Sequence, residues 1–265
     1  MASDVKVRLL GTGTILADAN RYCSSVLVET RKEKILIDAG PGTLYRIKQI
    51  GLAPEDIHFI FLTHFHPDHV CDLVPILFAL KNPYSGSKKL SLRIWGPRGF
   101  NNFMHNLELA YGKWIHSFNE QIQFNELKRQ LIDFPGFRVI WEKVVHKYES
   151  VGYRFEIGNQ VIAISGDSGY CPELIRLSRN ADLAILECSF PDELAVEGHL
   201  SPSLAARIAQ EAKAKQLVLT HFYPGTIESD LVEVAQKYFN GPIHLAEDLM
   251  EFAIPGDSTT NKTPE

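Results

Sequence analysis

The segment that most constrains this chain is residues 63–69, Thr-His-Phe-His-Pro-Asp-His, which contains three histidines and one aspartate. It directly follows the apolar run 57–62. An apolar run that ends in polar residues predicts a buried strand that opens into a loop at its carboxyl end. Because side chains alternate along an extended segment, His64 and His66 point to the same side and can share one metal ion.

The second half of the cluster predicts a second ion. Pro67 turns the chain, so Asp68 and His69 face another direction than His64 and His66. They lie too far round the turn to bind the same ion, but they are well placed to hold a second cation nearby. Imidazole and carboxylate ligands without thiolate suit zinc, with Mn²⁺ or Fe²⁺ as substitutes that the sequence leaves open. The alternative is a polar loop with surface histidines, but histidines placed at random rarely cluster at ligand spacing.

Three further donors follow apolar, strand-like stretches later in the chain, namely His146 after 139–145, Asp167 after 161–166 and His221 after 216–220. Each one alone could be a core or loop residue. A strand followed by a ligand at four places predicts that all of them converge on one site. Asp38 also ends a predicted strand, where it could either orient a ligand histidine or cap a turn, and it is left outside the predicted site.

Length and composition set the broad class. A chain of 265 residues can bury one large core, so we predict a single domain over 1–254 and a disordered tail over 255–265. A hydrophobic content of 45% with 22% charged residues is ordinary for a soluble globular protein. The net charge of −5 argues against broad non-specific nucleic-acid binding.

The sequence also predicts where the protein resides. Four cysteines without a Cys-x-x-Cys pair, and an amino terminus without an apolar secretory core, indicate a reducing cytoplasm. No segment reaches the roughly 18 apolar residues that a membrane span needs. We therefore expect a cytoplasmic protein that does not enter a membrane.

Strand-like and helix-like patterns alternate in two halves. Strands are predicted at 5–9, 25–29, 35–38, 57–62, 92–95, 139–145, 153–157, 161–165, 181–187, 216–220 and 243–254. Helices are predicted at 42–49, 69–80, 98–112, from 172, from 201, and at 229–239. Such halves predict an α/β fold in which two sheets stack face to face, with helices outside and the ligand loops at one edge.

The histidine and aspartate pattern resembles the metallo-β-lactamase fold family over nearly the whole chain. The resemblance implies a four-layer αβ/βα sandwich of two mixed β-sheets. Three local features are similar to the ribonuclease Z branch, namely Leu-Leu-Gly-Thr-Gly at 9–13, Ser-Val-Gly-Tyr-Arg-Phe-Glu at 150–156 and Gly-His-Leu-Ser at 198–201. Relatives with this fold often form homodimers, so the resemblance also implies a homodimer.

The resemblance assigns roles to the donors. It implies two Zn²⁺ ions, one held by His64, His66 and His146 and the other by Asp68, His69 and His221, with Asp167 as the bridge. It also implies that Asp68 accepts a proton from the attacking water. His199 is then free to donate a proton to the leaving oxygen or to stabilise its charge, with Glu187 as a candidate to orient it; the alternative is a loop residue that precedes a helix.

One departure from the family bears on the substrate. Ribonuclease Z proteins that process transfer RNA usually carry a long arm before the bridging aspartate, whereas only residues 157–166 separate Glu156 from Asp167. We therefore predict a binuclear zinc phosphodiesterase for nucleotides or short nucleic-acid ends, whose partner is a small anionic substrate or a nucleic-acid end. The alternatives are a tRNA 3′ processing endoribonuclease, a hydrolase of lactones, thioesters, β-lactams or aryl sulfates, and a non-catalytic metal-binding module.

Overall fold

The protein is described here by a computed structural model that covers residues 5–81, 90–116, 121–226 and 230–256. Its strands form two seven-stranded sheets. The first sheet contains β1 (Val5–Gly11), β2 (Ser25–Glu29), β3 (Lys34–Ile37), β4 (Phe59–Phe61), β5 (Leu92–Gly96), β6 (Ile122–Glu126) and β14 (Glu251–Ile254). The second contains β7 (Leu131–Phe134), β8 (Phe137–Lys143), β9 (Val151–Ile157), β10 (Gln160–Ile164), β11 (Leu183–Glu187), β12 (Leu217–Thr220) and β13 (Ile243–Leu245).

The helices lie between these strands in the chain. They are α1 (Thr43–Gln49), α2 (Pro67–Val70), α3 (Leu73–Lys81), α4 (Phe100–Tyr111), α5 (Pro172–Leu177), α6 (Pro202–Glu211) and α7 (Leu231–Gln236). Side-chain alternation divides the core: Val26 and Val28 of β2 face the second sheet, whereas Leu27 between them packs with the cluster that includes α1, α3 and α4. The predicted four-layer sandwich of two mixed sheets is confirmed.

The polarity of the strands determines where loops meet. In the first sheet β3, β4 and β5 run parallel, and in the second sheet β10, β11 and β12 do the same. The pairs β5–β6 and β12–β13 are also parallel, and the other pairs in the two sheets are antiparallel. Parallel strands bring their carboxyl ends to one edge of a sheet. The loops that follow β3, β4 and β5 in the first sheet and β10, β11 and β12 in the second therefore form a shared rim.

Two predicted elements are each divided in the structure. The helix expected over 69–80 is interrupted between α2 and α3, because the N–H of Asp72 donates to the carbonyl of Ala39 at 2.8 Å instead of to the preceding turn. The strand expected over 243–254 is the two strands β13 and β14, which lie in different sheets. At the crossing, Leu249 has a left-handed φ of 67° that no continuous strand allows.

Other predictions concern residues at the ends and the surface. Edge strands β6 and β7 were not predicted, because aromatic and polar residues alternate weakly there.

Of the tail predicted to be disordered, residues 257–265 lie outside the described residues. The single domain over 1–254 stays a prediction. Within the described part of the chain, no helix combines the length and the apolar character that crossing a bilayer requires.

Candidate metal centre

The candidate site lies along the shared rim. The residues that meet there follow or end the parallel strands: Asp38 after β3, His64 after β4, Asp167 after β10, Glu187 at the end of β11, and His221 after β12. His146 follows β8 by three residues, and α2 begins at Pro67 with Asp68 and His69 buried in its first turn. The structure thus brings residues from both sheets to one place.

All seven predicted ligands come together in two groups. The donor atoms of His64, His66, His146 and Asp167 lie within 4.8 Å of one another. Those of Asp68, His69 and His221 also lie within 4.8 Å of one another. Asp167 connects the groups, because its Oδ2 lies 3.7 Å from His64 Nε2 and its Oδ1 lies 3.1 Å from His69 Nε2.

Neighbouring acceptors fix the protonation of two imidazoles. His146 Nδ1 lies 3.0 Å from the carbonyl oxygen of Gly198, and His69 Nδ1 lies 2.7 Å from Oδ2 of Asp38. A carbonyl and a carboxylate only accept hydrogen bonds, so both Nδ1 atoms carry the proton. Each Nε2 atom therefore presents a lone pair to the site.

Asp38 also fixes the protonation of His64, through Thr63. The hydroxyl of Thr63 donates to Asp38 Oδ2 at 2.8 Å, and the backbone N–H of Thr63 donates to Oδ1 at 2.7 Å. Because its proton is committed to Asp38, the Thr63 hydroxyl oxygen accepts from His64 Nδ1 at 3.0 Å. Of the two roles considered for Asp38, the structure shows the orienting one.

Two of the metal-facing atoms have no hydrogen-bond partner in the described part of the chain. His64 Nε2 and Asp167 Oδ1 are buried without a hydrogen bond among the described residues. His69 Nε2 and His221 Nε2 lie only 3.2 Å apart. Buried acceptors that face one another are costly unless a cation lies between them. Five imidazoles and two carboxylates without thiolate therefore fit divalent metal ions such as zinc.

The charges of the buried groups lead to the same conclusion. Burial lowers the pKa of His64 well below its usual value, and His69 adds to the effect. Burial also opposes protonation of His69, but the carboxylates of Asp167 and Asp38 outweigh it and raise the pKa of His69 well above its usual value. Despite its burial, Asp167 has a pKa held well below its usual range by His221 and His69. Asp167 thus stays ionised. In the absence of a metal ion the raised pKa of His69 favours a second proton at its Nε2, which faces Asp167, and this proton takes a position suited to a cation.

Comparison with known proteins decides the family. The family description "Beta-lactamase superfamily domain" matches residues 33–222, which is more than half of the chain. The chain belongs to this superfamily. With its two mixed sheets in the metallo-β-lactamase fold, it is a metallo-β-lactamase superfamily hydrolase.

Three members of the superfamily illustrate the range of relatives. Ribonuclease Z of Borrelia recurrentis is 28% identical over 311 aligned positions, covering 95% of this chain and 97% of its own. The probable metallo-hydrolase YhfI of Bacillus subtilis is 27% identical over 248 positions, covering 92% of this chain and 97% of its own. Its crystal structure has a TM-score of 0.83 at 25% identity, covering 95% of this chain and all of that one. The short form of human tRNase Z has a TM-score of 0.75 at 27% identity, covering 94% and 99%.

In this superfamily member, His199 lies beside the second group of ligands. Its Nδ1 donates to Oε1 of Glu187 at 2.8 Å, as the sequence suggested. Although burial lowers the pKa of His199, the hydrogen bond to Glu187 raises it overall. A donor atom of His199 also lies within 4.8 Å of those of Asp167 and His221, closer than the sequence-based assignment of ligands required. Its Nε2 has no hydrogen bond to any described residue.

Sequence reasoning missed the residues that orient the donors. Ser189 Oγ donates to Glu187 Oε2 at 2.5 Å and accepts from His221 Nδ1 at 3.0 Å, and the Gly198 carbonyl accepts from His146. Serine hydroxyls and backbone carbonyls carry no signal in a single sequence. Asp38 did carry one, because it ends a strand in the same way as the predicted ligands.

Proposed function

We propose that this chain is a binuclear zinc phosphodiesterase that acts on nucleotides or short nucleic-acid ends. The observation that carries the proposal is the convergence of seven donors in two groups joined by Asp167. The ribonuclease Z and tRNase Z names of relatives at 27–28% identity add support for a phosphodiester substrate. We also propose that the site holds two ions and that both are zinc.

The charge balance of the site favours an anionic substrate. Two divalent cations carry twice the charge of the Asp68 and Asp167 carboxylates, so the loaded site is positive overall. When bound, such cations neutralise charge on a phosphodiester and make a water molecule more acidic. An uncharged ester or amide gains less from this excess of positive charge.

The residues of the chain supply the proton transfers. Asp68 is held as a carboxylate: burial raises its pKa, but the nearby imidazoles of His221 and His69 lower it overall. It can therefore accept a proton from the attacking water. His199 presents Nε2 to the site while Glu187 holds Nδ1, so it can donate a proton to the leaving oxygen.

Relative lengths favour a short substrate over transfer RNA. The alignment with Borrelia recurrentis ribonuclease Z spans 311 positions, more than the 265 residues of this chain, so that relative has residues that this chain lacks. The alignment with YhfI spans only 248 positions. This difference agrees with the proposal that the tRNA-gripping arm is absent, and it makes tRNA 3′ processing the weaker alternative.

Substrate kinetics test the proposal against hydrolysis of acyl and sulfuryl compounds. We expect zinc-loaded protein to hydrolyse bis(p-nitrophenyl) phosphate with a kcat/KM at least tenfold above that for a lactone, a thioester, a β-lactam or an aryl sulfate. A preference for any of those compounds by orders of magnitude would reject the phosphodiesterase. No turnover of any of them by metal-loaded protein would favour the non-catalytic module.

Metal, assembly and location are tested separately. Elemental analysis of pure protein should find about two zinc ions per chain, and one ion or none would overturn the binuclear site. The homodimer stays a prediction that sedimentation can check, and the cytoplasmic location stays one that cell fractionation can check.

A further inference from the structure

Three exposed cations lie near the candidate metal centre and play no part in it. Arg98 follows β5 in the first sheet, Lys143 ends β8 in the second, and Lys147 directly follows His146. Within the described residues, none of the three forms an ion pair with a carboxylate. The chain as a whole has a net charge of −5, so these residues form a local positive surface on an acidic protein.

An aromatic ring holds two of these cations together. Lys143 Nζ lies 4.0 Å from the centroid of the Tyr148 ring, and Arg98 Cζ lies 5.2 Å from it. Arg98 Nη1 also donates a hydrogen bond to the Tyr148 hydroxyl. Cation–π contacts position cations without neutralising them, so Arg98 and Lys143, both held at the Tyr148 ring, repel each other. An anion bound between them relieves that repulsion.

The packing of the backbone places this cluster beside the metal ligands. Lys143 pairs with Val151 in the β8–β9 ladder, and the N–H of Val151 donates to the carbonyl of Thr63 at 3.0 Å. On the other side, Gly99 lies against Phe65, since a Cβ on this glycine would be 3.9 Å from the ring. Thr63 and Phe65 flank His64, so both halves of the cluster lie against the segment that carries the first group of donors.

We propose that Arg98 and Lys143, both held at the Tyr148 ring, form a phosphate subsite with Lys147, the residue before Tyr148, and that this subsite binds a second phosphate of the substrate next to the scissile one. The inference rests on the proposed phosphodiesterase function and narrows its substrate to compounds with more than one phosphate. That second phosphate has two sources, the next linkage of a nucleic-acid strand or the terminal groups of a nucleoside polyphosphate. Cations interleaved with an aromatic ring are typical of surfaces that bind the backbone of single strands.

Equilibrium binding tests the subsite independently of catalysis. The probes are a fluorescein-labelled phosphorothioate tetrathymidylate and a fluorescein-labelled nucleoside triphosphate, and fluorescence anisotropy is measured over a range of salt concentrations. We expect Arg98→Gln and Lys143→Gln each to weaken binding about five- to tenfold and to reduce the slope of log Kd against log salt by about one. Tighter binding of the tetranucleotide assigns the second phosphate to a strand, and tighter binding of the triphosphate assigns it to a polyphosphate.

Two further variants sharpen the result. Tyr148→Ala keeps every cation but removes the ring that gathers them, so it should weaken binding severalfold while leaving net charge unchanged. Lys32→Gln is the matched control, because it removes one exposed charge from the β2–β3 turn, away from the carboxyl ends that carry the site; its affinity and salt slope should equal those of wild type.

The outcomes separate the two proposals. Wild-type affinity and salt slope for both probes in Arg98→Gln and Lys143→Gln would overturn the subsite, even if bis(p-nitrophenyl) phosphate is hydrolysed. Variant-sensitive binding without any phosphodiesterase activity would retain the subsite and reject the reaction.

Discussion

Nδ1 of His69 donates a hydrogen bond to Oδ2 of Asp38 at 2.7 Å, and both residues are buried. The same carboxylate also accepts two hydrogen bonds from Thr63, which in turn accepts from His64. The carboxylate of Asp38, which directly follows β3, therefore orients one imidazole in each group of metal ligands. Asp38 has a left-handed φ of 59°, a backbone conformation that costs free energy and that clusters at functional sites.

Replacement of Asp38 should weaken metal binding. In Asp38→Asn the amide nitrogen displaces one acceptor oxygen, so His69 or Thr63 loses its partner and the lone pairs at Nε2 are no longer held towards the site. We expect metal affinity to fall by about 10- to 100-fold, measured by competition with a chromogenic chelator. Asp133→Asn, an exposed aspartate on β7, is the control, with unchanged affinity. Equal affinities in both variants would contradict the role of Asp38.

Removal of metal should destabilise the fold. Without a cation the unpartnered Nε2 of His64 and Oδ1 of Asp167 stay buried, and the mutual repulsion of the donors returns. Saturating zinc should add about 4 kcal/mol of stability when its free concentration exceeds Kd a thousandfold. For a chain of this size that corresponds to a Tm increase of roughly 10 °C over chelator-treated protein, measured by differential scanning calorimetry. Equal Tm values with and without zinc would show that no ion binds there.

His199→Ala distinguishes a proton donor from a metal ligand. A lost general acid should lower kcat by about 10²- to 10⁴-fold for an ester with a poor alkoxide leaving group. The loss should be much smaller for a p-nitrophenyl ester, because p-nitrophenolate leaves without protonation. Glu187→Gln should show the same dependence on leaving group with a smaller loss.

Metal analysis completes this comparison. As a proton donor, His199 can be removed while the zinc content stays that of wild type. A lowered zinc content in His199→Ala, with equal losses for both leaving groups, would assign the residue to metal binding instead.

Asp248 should be important for folding rather than catalysis. Its carboxylate accepts from the N–H and hydroxyl of Thr12, from the N–H of Tyr22, and from Arg46 at 2.6 Å. Asp248→Ala leaves the largely buried Arg46 guanidinium without its counter-charge, so the free energy of unfolding should fall by about 3–5 kcal/mol in urea titrations. Glu233→Ala breaks the exposed Lys237–Glu233 pair and should cost less than about 1 kcal/mol. Similar losses in both variants would contradict the importance of burial.

The sequence predicted the parts of this protein that depend on local pattern. The run before His64 and the stretches before Asp167 and His221 are strands because apolar residues repeat without interruption there, and the ligands follow directly. The division of the helix at Asp72 depends on a hydrogen bond to Ala39, and the separation of β13 from β14 depends on Asp248 contacting Thr12. Contacts between distant segments of the chain leave no periodic trace, so they could not be predicted.

The same limit applies to the site. Donor residue types reveal themselves by spacing, whereas Ser189 and the carbonyl of Gly198 act only through their position beside His221 and His146.

The pairing of β14 with β1 has a consequence for biosynthesis. Residues 5–8 form their ladder with residues 251–254, at the opposite end of the described chain. During translation, the open side of β1 therefore waits for its partner until some 240 intervening residues have left the ribosome. Contacts so distant in sequence slow folding and leave a strand edge open to association with other nascent chains. Premature termination before Glu251 would make that exposure permanent, so aggregation rather than loss of the metal donors is the expected fate of such a fragment.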